Sequence, residues 1–229
     1  MLPKRHHVIR DVGQSLVGAV RSELAAQKSK AKVFLATPTT EFLRKNQPCI
    51  VLYLYDLRPF ILVGQGENWE IEEEVVDDDG ETYIVKYGRP LEMHLKYLLT
   101  ACAEDLADEH ELLALGMKAF LDNKMLSGEQ LVGESFARTD TLAITHDTDF
   151  TLQTSSTVFG GFDSGPRLAV GYEVDARLMS GRETGRSKRV RERHIDVFDQ
   201  LRPPPGSVSA RELGVEATPP RIVAAPGKK

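Results

Sequence analysis

Apolar residues near the start of the chain recur every three or four positions. The set is Ile9, Val12, Leu16, Val20 and Leu24. This spacing lines one face of an α-helix, so it predicts an amphipathic helix over residues 7–27. A polar stretch over residues 29–46 follows, and Pro38 breaks regular structure within it.

Three segments have the pattern of β-strands. Residues 49–55 are almost continuously apolar and β-prone, which is typical of a central strand buried on both faces. Residues 91–102 alternate, with Glu92, His94 and Lys96 on the polar face. Residues 168–178 alternate in the same way and predict the last strand. A further strand is predicted at residues 82–87 and a weaker one at residues 142–145.

A second helix is predicted after the long alternating strand. Asp108 and Glu111 have the spacing of a capping box at its start, and Asn123 marks its end. Residues 150–159 leave two alternatives open. Their threonines favour a strand, whereas Thr148 could cap a short helix.

The order of these elements lacks regular βαβ alternation, which disfavours a doubly wound parallel sheet. We therefore predict an α+β fold with a single mixed, mostly antiparallel sheet and flanking helices on one face. Residues 1–180 would form this domain, and residues 181–200 a basic extension. The Pro/Gly-containing residues 201–229 would form a flexible tail.

Composition narrows the function classes only slightly. Of 229 residues, 41% are apolar and the net charge is −5, which excludes a wholly disordered chain and gives no overall reason to expect nucleic-acid binding. Cys49 and Cys102 lie in apolar runs, which favours a reducing compartment over a disulfide. We find no secretory leader and no apolar segment of membrane-spanning length, and expect a soluble, cytoplasmic protein.

Charge is distributed unevenly along the chain. An acidic segment without Lys or Arg contains Glu67, Glu70, Glu72, Glu73, Glu74, Asp77, Asp78 and Asp79. A basic segment contains Arg182, Arg186, Lys188, Arg189, Arg191 and Arg193. These side chains are the candidate interface residues. We call the acidic segment the acidic pole and the basic segment the basic pole. The basic segment is either a solvated arm or a docking arm for an acidic protein surface.

Motifs for catalysis or metal binding are weak. Residues 146–149, His-Asp-Thr-Asp, favour a turn, because adjacent side chains of an extended chain point apart. Residues 77–80 resemble the middle of a calcium loop, but Val75 and Lys86 occupy its first and twelfth positions, so a solvated acidic turn is favoured. Residues 64–66 lack the third glycine of a dinucleotide loop. We predict no catalytic, cofactor-binding or metal-binding residues and no enzyme, although a hydrolase with dispersed residues stays open.

The long-range order of several segments resembles a known family. In chain order these are residues 48–55, 88–100, 111–116, 158–161 and 167–174. The most specific are Pro90-Leu-Glu-Met-His-Leu-Lys-Tyr-Leu-Leu-Thr100 and Arg167-Leu-Ala-Val-Gly-Tyr-Glu-Val174. Over residues 7–179 the chain resembles the cap proteins of extracellular contractile injection systems, which are relatives of contractile-phage tail terminators.

This resemblance implies a structural role. The family forms a six-fold ring that closes the distal end of the tube and sheath, stops polymerisation and stabilises the extended state. It implies a helix at residues 150–159, where the family often has a tryptophan and this chain has Ser155, Ser156 and Thr157. The implied partners are further copies of the chain and the tube and sheath proteins, without cofactor, membrane or small-molecule substrate. The particle would assemble in the cytoplasm and can be released.

Two contacts are predicted for such a ring. Residues 67–81 of one subunit, or of the sheath, would face residues 182–193 of another subunit. Residues 168–178 would form an exposed edge strand that accepts a sheath arm by strand addition. The alternative function is an anionic-surface or nucleic-acid binding module that uses residues 182–193.

Overall fold

The computed structural model describes residues 5–60, 71–77, 80–137, 139–162, 165 and 167–188. Within this part lie four α-helices, nine strands and two short 3-10 helices. The helices are α1 (Val8–Ala26), α2 (Thr40–Asn46), α3 (Leu106–Asp122) and α4 (Leu152–Gly160). The strands are β1 (Lys32–Leu35), β2 (Cys49–Phe60), β3 (Ile71–Val76), β4 (Thr82–Tyr87), β5 (Leu91–Cys102), β6 (Met125–Ser127), β7 (Thr141–His146), β8 (Ala169–Leu178) and β9 (Glu183–Lys188).

The larger sheet has the strand order β1-β2-β5-β8-β7-β6. Strands β1 and β2 are parallel, and the other neighbours are antiparallel. Strand β5 pairs with β2 from Cys49↔Cys102 onward and with β8 from Leu91↔Leu178 onward. This confirms the predicted α+β class and the mixed, mostly antiparallel sheet.

Helices α1 and α3 cover one face of the larger sheet. Val12, Leu16 and Val20 of α1 are fully buried against β2 and β5. Burying an aliphatic side chain of this size stabilises a fold by about 1.5–3 kcal/mol. The predicted N-terminal helix is confirmed, and its apolar stripe forms the centre of the core.

The opposite face is also covered, which corrects the prediction of helices on one face only. Leu43 of α2 packs against Cys49, Val51 and Cys102, which point away from α1. Because β2 is apolar at successive positions, both its faces need cover, and α2 arises from the polar stretch to cover this one, while β1 pairs with β2 within the sheet. Burial raises the pKa of the Cys49 thiol to about 11, so it packs as a neutral apolar group.

Two helix boundaries differ from the predicted ones. Helix α3 begins at Leu106 with Asp105 as its N-cap, so Asp108 and Glu111 lie inside the helix and the predicted capping box is wrong. Helix α4 resolves the ambiguity at residues 150–159 in favour of the helix that the family resemblance implies. Its cap is Thr151, whose hydroxyl accepts a hydrogen bond from the Thr154 amide.

A second, three-stranded sheet has the order β3-β4-β9, which corrects the prediction of a single sheet. Residues 168–178 are therefore not the last strand, since β9 follows them. Strand β8 lies between β5 and β7 rather than at an edge, so the predicted addition of a sheath arm to it is wrong. Residues 201–229, the predicted flexible tail, lie outside the described residues. The domain boundaries at 180 and 200 stay a prediction.

None of the described helices combines the length and the apolar composition that crossing a bilayer requires.

Candidate assembly surface

The small sheet brings together the described parts of the acidic and basic segments. Glu73 of β3 pairs with Val85 of β4, and Val85 pairs on its other side with Arg186 of β9. Residues paired in this way point to one face, two strand spacings or roughly 10 Å apart. The two separate poles expected from the sequence are instead the two edges of one sheet.

Charge pairs within the chain already link this sheet. The Lys188 Nζ lies 2.6 Å from Glu81 Oε2, and the Lys86 Nζ lies 3.2 Å from Glu72 Oε1. The Arg186 Nε lies 3.0 Å from Glu183 Oε1. These side chains are largely exposed, so the pairs orient the basic groups and contribute little to stability.

Tyr83 holds the basic side chains over one face of the sheet. The Arg186 guanidinium carbon lies 5.4 Å from the centre of its ring, and the Lys188 Nζ lies 5.9 Å from it. Both distances are within cation–π range. The Tyr83 hydroxyl donates to Glu81 Oε2 at 3.1 Å. The ring therefore fixes where β9 presents its positive charge.

A tight turn joins β3 to β4, as the sequence favoured over a calcium loop. The Gly80 amide donates to the Asp77 carbonyl at 3.0 Å, and the Glu81 amide donates to Asp77 Oδ1 at 2.8 Å. Gly80 has a φ of +78°, which favours glycine. The Asp77 carboxylate thus accepts a hydrogen bond from the backbone of the turn.

The structure describes the candidate residues only in part. Those it describes are Glu72, Glu73, Glu74, Asp77, Arg182, Arg186 and Lys188. Those outside the described residues are Glu67, Glu70, Asp78, Asp79, Arg189, Arg191 and Arg193.

The larger sheet carries a second charged region that sequence reasoning did not assemble. The polar face of β5 meets the polar positions of β8 in direct register: Glu92↔Arg177, His94↔Asp175 and Lys96↔Glu173. The His94 Nδ1 lies 2.6 Å from Asp175 Oδ1, and the Arg177 Nε lies 2.9 Å from Glu92 Oε1. Opposite charges in directly opposed positions stabilise a strand pair. The alternation of apolar and polar residues predicted a polar face on each strand, but only the register of β5 against β8 shows which polar residues are opposite each other.

Lys96 is the most enclosed cation of this region. Its Nζ lies 3.0 Å from Asp147 Oδ1 and 3.4 Å from Glu173 Oε2. The Tyr55 hydroxyl donates a short hydrogen bond to Asp147 Oδ2. Burial, followed by the hydrogen bond to Asp147, raises the pKa of Tyr55, so the phenol stays a donor. The network links β2, β5 and β8 to the turn after β7.

The turn predicted at residues 146–149 is present over residues 147–150, and His146 is the last residue of β7. The Phe150 amide donates to the Asp147 carbonyl at 3.2 Å, and the Asp149 amide donates to Asp147 Oδ1 at 3.0 Å. His146 is exposed while Asp147 is buried, so the two side chains diverge.

His94, Glu173 and Asp175 present three potential ligand atoms within 4.8 Å of one another. The Lys96 ammonium already balances Glu173, and the phenyl ring of Phe60 stacks on His94 at 4.0 Å. We assign this cluster to the charged strand ladder rather than to a metal site. Two shallow clefts are lined by α2 and by Thr151 with α4, and neither collects titratable groups from separate elements.

A mixed sheet with helices on both faces and a second, charged three-stranded sheet defines an α+β domain. Residues 11–192 match the family described as the Pvc16 N-terminal domain, and the chain belongs to this family. This confirms the resemblance stated from the sequence. None of the curated proteins matches the sequence.

Solved structures of similar fold come from contractile particles. One is the sheath/tube terminator of PVC, an extracellular contractile injection system, in its extended state, with a TM-score of 0.55 and 13% identity. Another is the tube-terminating cap of the anti-feeding prophage, AFP, with a TM-score of 0.51 and 15% identity. The matches cover 82% and 78% of this chain. They span 62% and 59% of those chains, and at such identities they establish the fold.

Proposed function

We propose that this protein caps a contractile injection particle. It ends the tube and sheath, stops their polymerisation and stabilises the extended state. The family match over residues 11–192 carries this proposal. The similarity in fold to a sheath/tube terminator and to a tube-terminating cap supports it.

The proposed cap is a six-fold ring without enzymatic activity, and its partners are further copies of the chain and the tube and sheath proteins. It assembles in the cytoplasm as part of a particle that can be released. A closed ring of identical chains needs two unlike patches on each chain. The acidic strand β3 and the basic strand β9 are two such patches.

In this ring the acidic residues 67–81 of one subunit face the basic residues 182–193 of a neighbour. Pairing between exposed charges contributes to register and encounter rate more than to affinity. The candidate residues of the two sets that are described and exposed support this proposal: Glu72, Glu74, Arg182, Arg186 and Lys188.

Electron microscopy of particles from cells lacking this gene, beside the parent strain, tests the function. We expect tails of uncontrolled length, or unstable tails without a distal cap. A plasmid copy of the gene should restore capped tails of normal length. Capped particles of normal length in the deletion strain would refute the role in termination.

The alternative, binding of nucleic acid or another anionic surface through residues 182–193, has less support. In the described part of that segment, Arg186 lies beside Glu183, and Lys188 lies beside Glu81. A phosphate backbone would have to compete with these carboxylates. Retention on immobilised DNA that falls steeply with salt would favour this alternative.

A further inference from the structure

The small sheet has two edges that differ in charge. Among the described residues no strand pairs with the outer side of β3 or of β9, and each strand has six residues. Strand β3 carries three glutamates and no basic residue, whereas β9 carries Glu183 with Arg186 and Lys188. An edge strand presents amide and carbonyl groups that another strand can pair with.

Charge determines which edges can meet. Pairing of β3 with a second β3 would oppose like charges, because Glu72, Glu73 and Glu74 fill the middle of the strand. Like charges in opposed positions destabilise a strand pair. Pairing of β3 with β9 instead sets glutamates beside Arg186 and Lys188. The favoured contact therefore joins two different edges.

Strand direction allows this contact to repeat around a ring. Both β3 and β9 are antiparallel to β4, so they run in the same direction. Rotation about a ring axis parallel to the strands preserves that direction. Strand β9 of one copy would then meet β3 of the next copy in parallel.

We propose that copies of this chain join head to tail by pairing β9 of one copy with β3 of the next. The small sheet then continues from subunit to subunit, and closure of the ring leaves neither edge exposed. The inference rests on the proposed ring and names the contact that builds it. Backbone hydrogen bonds hold the strands together, and the opposed charges select the register.

Glu74 and Ser187 provide a test, because each pairs with Ile84 from opposite sides of β4. Within one chain they are two strand spacings, roughly 10 Å, apart. A disulfide needs Cα atoms within about 7 Å. A disulfide between Glu74→Cys and Ser187→Cys can therefore form only between copies. The native Cys49 and Cys102 are buried and serve as the background.

The purified full-length double variant is oxidised mildly and run on a non-reducing gel. We expect a ladder of covalent multimers up to six chains, and monomers from either single variant. The sheet within one chain does not determine the register between copies. Glu72→Cys and Val76→Cys lie on the same face of β3 as Glu74→Cys, so each is also combined with Ser187→Cys. At least one combination should give the ladder.

Three outcomes would overturn the proposal. The first is monomers from every combination while native mass spectrometry shows intact hexamers, which would mean that the ring uses another surface. The second is a disulfide dimer from Glu74→Cys alone, which would mean that β3 meets itself. The third is the absence of any ring from the unmodified chain. The deletion-strain microscopy tests capping separately, so capping can hold when strand pairing fails.

Discussion

Lys96 and Asp147 form an ion pair inside the protein, between β5 and the turn after β7. Their Nζ and Oδ1 atoms are 3.0 Å apart, and their side chains are only 5% and 2% exposed. Asp147 also accepts from the Tyr55 hydroxyl of β2. Burial by itself lowers the pKa of Lys96, but the hydrogen bond and charge of Asp147 outweigh it and raise the pKa. The pair therefore stays charged and ties separate elements of the larger sheet together.

Removing the carboxylate of this pair should destabilise the fold. Asp147→Ala leaves the buried Lys96 ammonium with Glu173, at 3.4 Å, as the nearer of its two remaining acidic neighbours. Breaking one side of a buried pair costs about 3–5 kcal/mol, and we expect the lower end because Glu173 remains. Urea denaturation measures the free energy of unfolding.

Asp149→Ala is the matched control. Asp149 lies 3.8 Å from the same Lys96 Nζ but its side chain is 80% exposed. We expect a change within about 0.5 kcal/mol, as for most surface substitutions. Equal losses from both variants would show that burial of Asp147 does not determine its contribution.

Acid should remove the contribution of Asp147. Burial by itself raises its pKa, but hydrogen bonds from Tyr55 and Lys96 outweigh this and hold the pKa below 3.8 in the folded protein. A folded pKa below the unfolded value stabilises the fold above pH 3.8, and the stabilisation is lost as pH falls below it. The measurement is the free energy of unfolding across this range for the native chain and for Asp147→Asn.

Asp147→Asn should lose less stability on acidification than the native chain, since it lacks this carboxyl group. Asp149→Asn should follow the native chain. The pKa of Asp11 is lowered as well, so the native chain and all these variants still lose some stability in acid. Parallel curves for the native chain and Asp147→Asn would contradict the prediction.

Gly133 should not tolerate a side chain. The buried Asp11 carboxylate accepts from the Glu134 amide at 3.0 Å and the Ser135 amide at 3.2 Å, which fastens this loop to α1. A Cβ at Gly133 would lie 2.2 Å from Asp11 Oδ2, and its φ is +117°. Gly133→Ala should lower the free energy of unfolding by on the order of 3 kcal/mol, because it displaces hydrogen bonds to a buried charge.

Gly128→Ala is the control that measures the effect of backbone strain on stability without a steric clash. Gly128 also has a positive φ, +56°, but nothing lies within 4 Å of the Cβ position. We expect a loss of about 1–2 kcal/mol, the cost of a left-handed conformation alone. Equal thermal shifts for the two variants would rule out the clash with Asp11.

Salt should weaken the proposed ring. Raising ionic strength from about 0.1 M to about 1 M shortens the screening length from about 10 Å to about 3 Å. If exposed charges on β3 and β9 guide assembly, the hexamer fraction in sedimentation velocity should fall across this range. A constant hexamer fraction would show that this charge pairing does not guide assembly.

Charge reversal tests the same pairing without salt. Glu74→Lys and Arg186→Glu should each reduce the hexamer fraction, and their combination in one chain should recover part of it. Glu129→Lys makes the same charge change at an exposed position of the 3-10 helix Gly128–Gln130 and should have no effect. An equal loss from Glu129→Lys would mean that net charge rather than position matters.

Local patterns predicted the elements whose apolar residues recur with one period. Strand β5 has the bounds that its alternating residues indicate, although it is buried on both faces, and α1 follows its apolar stripe to within one residue at each end. Strand β9 escaped prediction because its side chains are mostly exposed on both faces, so no apolar alternation marks it. Strand β1 and helix α2 escaped prediction because they are short and lie in a polar stretch.

For the candidate site, the order of residues alone determined which positions are charged and that the acidic and basic groups are separate along the chain. Only the tertiary structure decided that β3 and β9 flank the same strand, since Val85 and Arg186 are far apart along the chain. The same holds for β8, whose own pattern cannot say whether it lies at an edge or between two neighbours. Burial acts residue by residue and leaves a period in the sequence, whereas strand pairing joins distant backbone groups and leaves none.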